Sequence, residues 1–250
     1  MSEHWKVAHT FEPPIRLLQD GPSEVSGLTL HLDGHALHSV IHLLEMPLGS
    51  SRQEVTNTSR RLIEGAVVAI RYLQVGPVYW WTEADRVDPP ENGLRLIARA
   101  RASIGTRAVC LPTIGWRGEQ SEHISAWLTL AAQARESQSA SIRLRLYFLV
   151  LEDLNLRGLL QEAELILYSE VKAVRDFVSH PKITNVKTRD TLRRVAPSLA
   201  GSDGEFRYSP RDARQQETIL QFSVQAARTV DKRLLTELGV PSNYWGDDGP

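Results

Sequence analysis

Cysteine is almost missing from this chain: Cys110 is the single thiol among 250 residues. An intramolecular disulfide is therefore excluded, and a reducing cytoplasm is the expected compartment. Long apolar runs are missing too. The longest, Leu146 to Leu151, falls far short of the ~18 residues that span a bilayer, so no membrane segment is expected. The opening Met1-Ser2-Glu3-His4-Trp5-Lys6 has no charged stretch followed by an apolar one, and no signal peptide is expected. Excess charge of either sign is also lacking. The formal net charge is −1, so any contact with RNA has to come from a local basic patch. Arginine outnumbers lysine by 24 to 5, a bias that genome composition explains as readily as phosphate binding. Neither G-x4-G-K-S/T nor G-x-S-x-G occurs, which removes the motifs of nucleotide hydrolysis and esterase chemistry.

What is present divides into two halves, and the class read from them is α+β. Residues 1–118 read as a mixed α/β domain. Leu28-Thr29-Leu30-His31-Leu32 alternates like a strand, and Asp33-Gly34 offers the type I′ turn of a hairpin. Between Arg52 and Leu73, Val55, Ser59, Leu62, Ala66, Ala69 and Leu73 recur at helical spacing. Val78 to Trp81 reads as a short strand, Asp88 to Gly93 as a loop, and Leu94 to Val109 as further strand. Residues 119–250 read as a helical bundle. Ser121 suits the N-cap of a helix with the stripe Ile124, Trp127, Leu128 and Ala131. Ile142 to Leu154 is the most apolar helix and is expected at the centre. Leu159 to Ser179 forms a third, and a polar insertion occupies about 184–208. Ser209 and Pro210 suit the N-cap and first position of the last helix, with Asp212 completing an acidic capping box. Its expected stripe is Ala213, Leu220, Val224, Ala227, Val230, Leu234 and Leu238, and Gly239 with Pro241 marks its stop.

The chemistry is concentrated in Arg175-Asp176-Phe177-Val178-Ser179-His180. On a wheel of ~100° per residue, Leu160, Ala163, Leu167, Val171, Val174 and Val178 form the core stripe. Lys172, Asp176 and Ser179 fall opposite, with Arg175 and His180 on the two margins of that polar face. Asp176 and His180 are an i, i+4 pair, and the arginine is expected to reach over Ser179 toward the imidazole. Pro181 disfavours helix at His180, so the helix is expected to end there. A histidine that exchanges protons with an attacking or leaving oxygen, beside an arginine that stabilises a phosphorane, suits cleavage of RNA by its own 2′-hydroxyl. With so many arginines about one R-x4-H pair arises by chance, so the weight rests on its place at the end of an amphipathic helix.

The hexapeptide resembles the R-x4-6-H signature of the HEPN superfamily, helical bundles that include many endoribonucleases. The resemblance covers about residues 119–239, and the preceding mixed domain resembles the apea-like and methylamine-utilisation-cluster branches. It implies a metal-independent endoribonuclease or RNA-acting effector in which Arg175 binds phosphate, His180 is the general acid/base and Asp176 orients it. Ser179 and Glu152 (or Asp153) are implied as supporting residues. No cofactor and no metal are implied, because the nucleophile belongs to the substrate. The implied partners are a second copy of the chain across a two-fold axis, an RNA substrate and a neutralising protein. The alternative is a non-catalytic HEPN-like module that dimerises or binds a ligand.

A second constellation is His31, His35, His38 and His42, with Asp33 and Glu45 nearby. On a helix, His35, His38 and His42 share a face and can bind zinc, which is the basis of a further alternative, a metal-dependent hydrolase. On a hairpin they scatter over both faces. Cys110 reads as a small buried hydrophobe, and Tyr79, Trp80 and Trp81 as packing aromatics rather than base-stacking ones.

Overall fold

The computed structural model describes residues 2–18, 21–74, 78–87, 108–110, 112, 122–180, 182–241 and 244. Helices and an antiparallel sheet are both present, so the fold is mixed α+β. The chain forms two compact units, Met1–Ser125 with Leu238–Val240, and Ala126–Glu237 with Pro241–Pro250.

The first unit is a five-stranded sheet in the order β2-β3-β4-β1-β5, with every pairing antiparallel. Its strands are β1 (Ser2–Arg16), β2 (Glu24–Val25), β3 (Leu28–Asp33), β4 (Ala36–Pro47) and β5 (Trp80–Arg86). Two short turns set the register. Ser26 and Gly27 both have positive φ, the pattern of a type I′ turn, and they join β2 to β3. The expected β3–β4 hairpin forms one residue later than read, because Asp33 pairs with Ala36 and leaves Gly34-His35 as the loop. Only Gly34 there has positive φ, which is the type II′ pattern. Register in β1 breaks between Thr10 and Ile15, where Pro13 and Pro14 have no N–H to offer the ladder. β5 begins at Trp80, two residues beyond the expected Val78. Of the expected strand Leu94 to Val109, residues 94–107 lie outside the described residues. Val109 itself bridges to Leu17.

Helix α1 (Arg52–Gln74) matches its reading closely. Ser51 and Glu54 exchange hydrogen bonds between side chain and backbone, a reciprocal capping box that fixes the start. Those same bonds from Ser51 hold the Glu54 carboxyl below its ordinary range. Val55, Ser59, Ile63, Ala66 and Ile70 are fully buried, and α1 packs on β1, β4 and β5.

The second unit is helical: α2 (Glu122–Glu136), α3 (Ala140–Leu156), α4 (Glu162–Ser179), α5 (Val186–Val195) and α6 (Ala213–Glu237), with a 3₁₀ turn at Pro197–Leu199. α3 packs against α6 and α4, and α4 also meets α5 and α6. The stripe read for α2 is buried as expected. Three other readings need correction. The N-cap of α6 is Asp212, whose carboxylate accepts from the Arg214 and Gln215 amides at 3.0 and 3.2 Å; the Ser209 carbonyl instead accepts from the Asp212 amide in the turn before it. The first half of α6 buries Ile219, Phe222 and Ala226, leaving Leu220 and Val224 exposed; the stripe as read was rotated by one residue. In α4, Val171, Val174 and Val178 are buried, but Ala163 is exposed and Leu167 only half-buried, because few neighbours reach its first turns. Along α3, which packs centrally on α6 and α4, Ile142, Leu149 and Leu156 are exposed.

Candidate functional site

The Arg175 region is built on the antiparallel meeting of α3 and α4. A capping box of Gln161 and Glu164 opens α4. It closes at His180, where φ −121° and ψ 137° are the extended values a residue before proline prefers. The His180 amide still donates to the Asp176 carbonyl at 3.0 Å, so the last turn is complete and the imidazole stands at its rim, exposed.

Arg175 turns toward α3 rather than toward His180. Its Cζ lies 4.2 Å from the centroid of Phe148, a cation–π contact. One guanidinium nitrogen is 3.0 Å from Asp176 Oδ1, and another is 3.8 Å from Glu152 Oε1. Its Nε is buried without a hydrogen-bond partner among the described residues. Tyr168 stacks on Phe148, with ring centroids 5.6 Å apart at 14°. Burial, together with the Glu152 carboxylate, pushes the Tyr168 phenol up, opposed by Arg175 and a hydrogen bond to Asn155.

The expected trio is thus divided. Asp176 is paired to Arg175, and the His180 ring has no hydrogen bond or ion pair with either among the described residues. The physical reason is the wheel itself: five residues place Arg175 and His180 ~140° apart. α3 offers the arginine a carboxylate and an aromatic face closer at hand. Ser179 is exposed beside His180, and Glu152 Oε1 lies 3.8 Å from the arginine.

Two features next to His180 escaped the sequence reading. Arg145 of α3 donates to the Val178 carbonyl at 2.7 Å, which sets a second guanidinium at the C-terminal end of α4. Only the packing of α3 on α4 reveals it. Downstream, residues 182–194 carry Lys182, Lys187, Arg189, Arg193 and Arg194 against Asp190 alone, five positive charges and one negative. Glu205 answers Lys182 at 2.9 Å and Arg189 at 3.8 Å, and these cations hold its carboxyl below the ordinary range. Lys187, Arg193 and Arg194 remain exposed on α5. Within this basic stretch Arg193 pairs with Asp190 at 3.1 Å, and Arg194 lies 3.9 Å from Glu170, ten residues before His180 on α4.

The histidine cluster of the first unit does not converge. The His31 and His38 rings lie 6.0 Å apart on the hairpin, His35 is exposed in its loop, and His42 is buried in the sheet. Among the described residues, no group of three or more His, Cys, Asp or Glu is placed to hold a metal. His42 belongs instead to a polar network under α1. Its Nε2 lies 3.3 Å from His9 Nε2 and 2.5 Å from Ser59 Oγ; Ser59 is also 2.8 Å from His9, whose Nδ1 is 3.0 Å from Thr82. His9 and Ser59 have no exposed surface, so this network joins helix to sheet and admits no substrate. Burial, then the neighbouring His42 and Arg60, depress His9 to about 3. Cys110 is half-buried, and that burial pushes its thiol up, away from nucleophilic use. Trp80 packs between His9 and the Arg60 guanidinium.

No helix among the described residues is long and apolar enough to cross a membrane. No protein-family model matches the chain, and neither a curated protein nor a solved structure matches it.

Proposed function

We propose that the chain is a metal-independent endoribonuclease of HEPN type, with its site at the C-terminal end of α4. The observation that carries this reading is the exposed His180 imidazole at the end of α4, with the Arg145 guanidinium bonded to the last turn of that helix and Arg175 five residues before the histidine. A phosphodiester is drawn to these cations by charge. The 2′-oxygen attacks phosphorus as His180 takes its proton, the bond to the 5′-oxygen breaks, and that oxygen is reprotonated. The products are a 2′,3′-cyclic phosphate and a 5′-hydroxyl. Arg175 has to exchange its longer contact with Glu152 for a phosphate oxygen, while Asp176 keeps its guanidinium in place. One subunit supplies one histidine, so a second copy is part of the reading.

A second reading rests on the same arginine. Two carboxylates and an aromatic face already compensate Arg175, an arrangement that suits a structural group in a non-catalytic HEPN-like module. Mixed RNA incubated in excess chelator separates the two. The ribonuclease reading expects cleavage by the wild type and loss of at least a hundredfold in His180→Ala and Arg175→Ala. Cleavage that survives both substitutions, or is absent throughout, leaves the module.

A further inference from the structure

Where α4 begins, the turn that leads into it from α3 stands beside the second half of α6 and leaves a cleft of about 230 Å³. Leu154, Leu159 and Leu160 supply its apolar lining, and Gln161 and Glu164 line it from the start of α4. From α6 come Thr229, Lys232, Arg233 and Thr236, whose spacings of three and four put them on one face of the helix. The volume falls below the ~300–1,000 Å³ of sites for drug-sized molecules, so it suits something smaller. His180 is at the other end of α4, 18 residues and about 27 Å away at 1.5 Å per residue.

Most polar groups in this cleft already have partners. Glu164 accepts from the Gln161 amide at 2.8 Å within the capping box, and a terminal nitrogen of Arg233 lies 2.7 Å from Glu237. The Thr236 hydroxyl donates to the Lys232 carbonyl at 2.9 Å. Three groups are left over. Arg233 Nε is buried with no hydrogen-bond partner, and neither the Lys232 ammonium nor the Thr229 hydroxyl has one among the described residues. All three are donors, and Lys232 adds a positive charge with no counter-ion. Buried donors are rarely left unmet in a native structure. A water satisfies a donor, but it neither neutralises Lys232 nor covers Leu159 and Leu160, which are half-buried. An anion with an apolar body does both. Two oxygens and a single charge suit the place better than a phosphate dianion, because Glu164 and Glu237 already stand close by.

We propose that this cleft binds a small organic monocarboxylate, with the carboxylate on Lys232, Arg233 Nε and Thr229 and the apolar body on Leu154, Leu159 and Leu160. The site shares no residue with the Arg175–His180 region, so it stands or falls apart from the ribonuclease reading.

Binding to the full chain is read from backbone amide shifts of ¹⁵N-labelled protein, with hexanoate, benzoate and 3-phenylpropionate as probes. At least one acid is expected to saturate with a Kd of about 1 mM or below, moving amides within 159–164 and 229–236. The neutral amide of that acid, acetate and inorganic phosphate are each expected to bind at least tenfold more weakly. Lys232→Met keeps the aliphatic stem and Thr229→Val keeps the shape, and each is expected to weaken the acid at least fivefold. Lys232 is exposed and unpaired among the described residues, so its variant is expected to melt with the wild type; Lys232→Gln serves if it does not. No saturable shift with any of the three acids at about 20 mM overturns the site. So does saturation that maps elsewhere, an amide or phosphate that binds as tightly as the acid, or an affinity unmoved by Lys232→Met or by Thr229→Val.

Discussion

Acid should unfold the sheet unit through one residue, His9. Its ring is fully buried with Thr82 on one nitrogen, Ser59 and His42 on the other, and the Arg60 guanidinium stacked beyond Trp80. Ser59 has one hydroxyl proton to donate, so the network closes when one imidazole donates from Nε2 and the other accepts. An added proton puts a charge in a buried site beside another imidazole and near a guanidinium. Hence the folded-state value lies at about 3, against 6.5 in the open chain. The sign is that of a base kept neutral: the unfolded chain takes up a proton that the folded chain refuses. The contribution of His9 is fully present above pH 6.5 and is lost as pH falls from there toward 3, at about 1.4 kcal/mol per pH unit. Between pH 7 and pH 4.5 the loss is about 2–3 kcal/mol. His9→Gln keeps a donor and an acceptor but cannot charge. Urea unfolding followed by tryptophan fluorescence, with Trp80 5.5 Å from the His9 ring as the local reporter, measures both proteins at both pH values. Wild type is expected to lose about 2–3 kcal/mol more than His9→Gln over this interval. Parallel losses, equal to within about 0.5 kcal/mol, refute the burial of a neutral His9.

Two further predictions concern the helical unit. Arg135 and Asp231, 2.7 Å apart and only 5% and 8% exposed, join α2 to α6; burial, with the Asp231 carboxylate, pushes the Tyr147 phenol up to about 12 against the opposing pull of Arg135 and Arg143. Asp231→Ala removes the carboxylate that neutralises a buried guanidinium and is expected to cost about 3–5 kcal/mol in thermal unfolding, whereas Arg135→Met with Asp231→Leu recovers most of it; a single variant within about 1 kcal/mol of wild type contradicts this. Asp212→Ala removes the cap of α6 and is expected to cost about 1 kcal/mol, with Ser209→Ala near neutral, as read by chemical denaturation. Equal effects would move the start of the helix back to Ser209.

Legibility in the sequence followed the range of the forces involved. The β3 alternation, the long α1 and the stripe of α2 were readable because a single period governs each. Phase was harder than period. In α6 the ridges Leu220–Val224–Ala227 and Ile219–Phe222–Ala226 differ by one residue, and only packing against α3 selects the second. The cap of α6 had two acceptable candidates, and Asp212 won over Ser209 because its carboxylate reaches two free amides. The place where α4 ends was fixed by Pro181 alone, a local rule, and was legible. The direction of Arg175 was not, since a long side chain at the edge of a polar face goes to whichever carboxylate a neighbouring helix presents. Glu152 is one such carboxylate, 3.8 Å from the guanidinium. Arg145, the His9–Ser59–His42 network and the cleft beside the α3–α4 turn all depend on contacts between elements, for which no single segment carries a signal.

The chemistry of the cut ends tests the central claim most directly. RNA incubated with the protein in excess chelator, and mapped at its new 3′ ends, is expected to carry 2′,3′-cyclic phosphates, formed by wild type and lost in His180→Ala. Ends bearing a 3′-hydroxyl, or cyclic phosphates formed undiminished by His180→Ala, contradict the site.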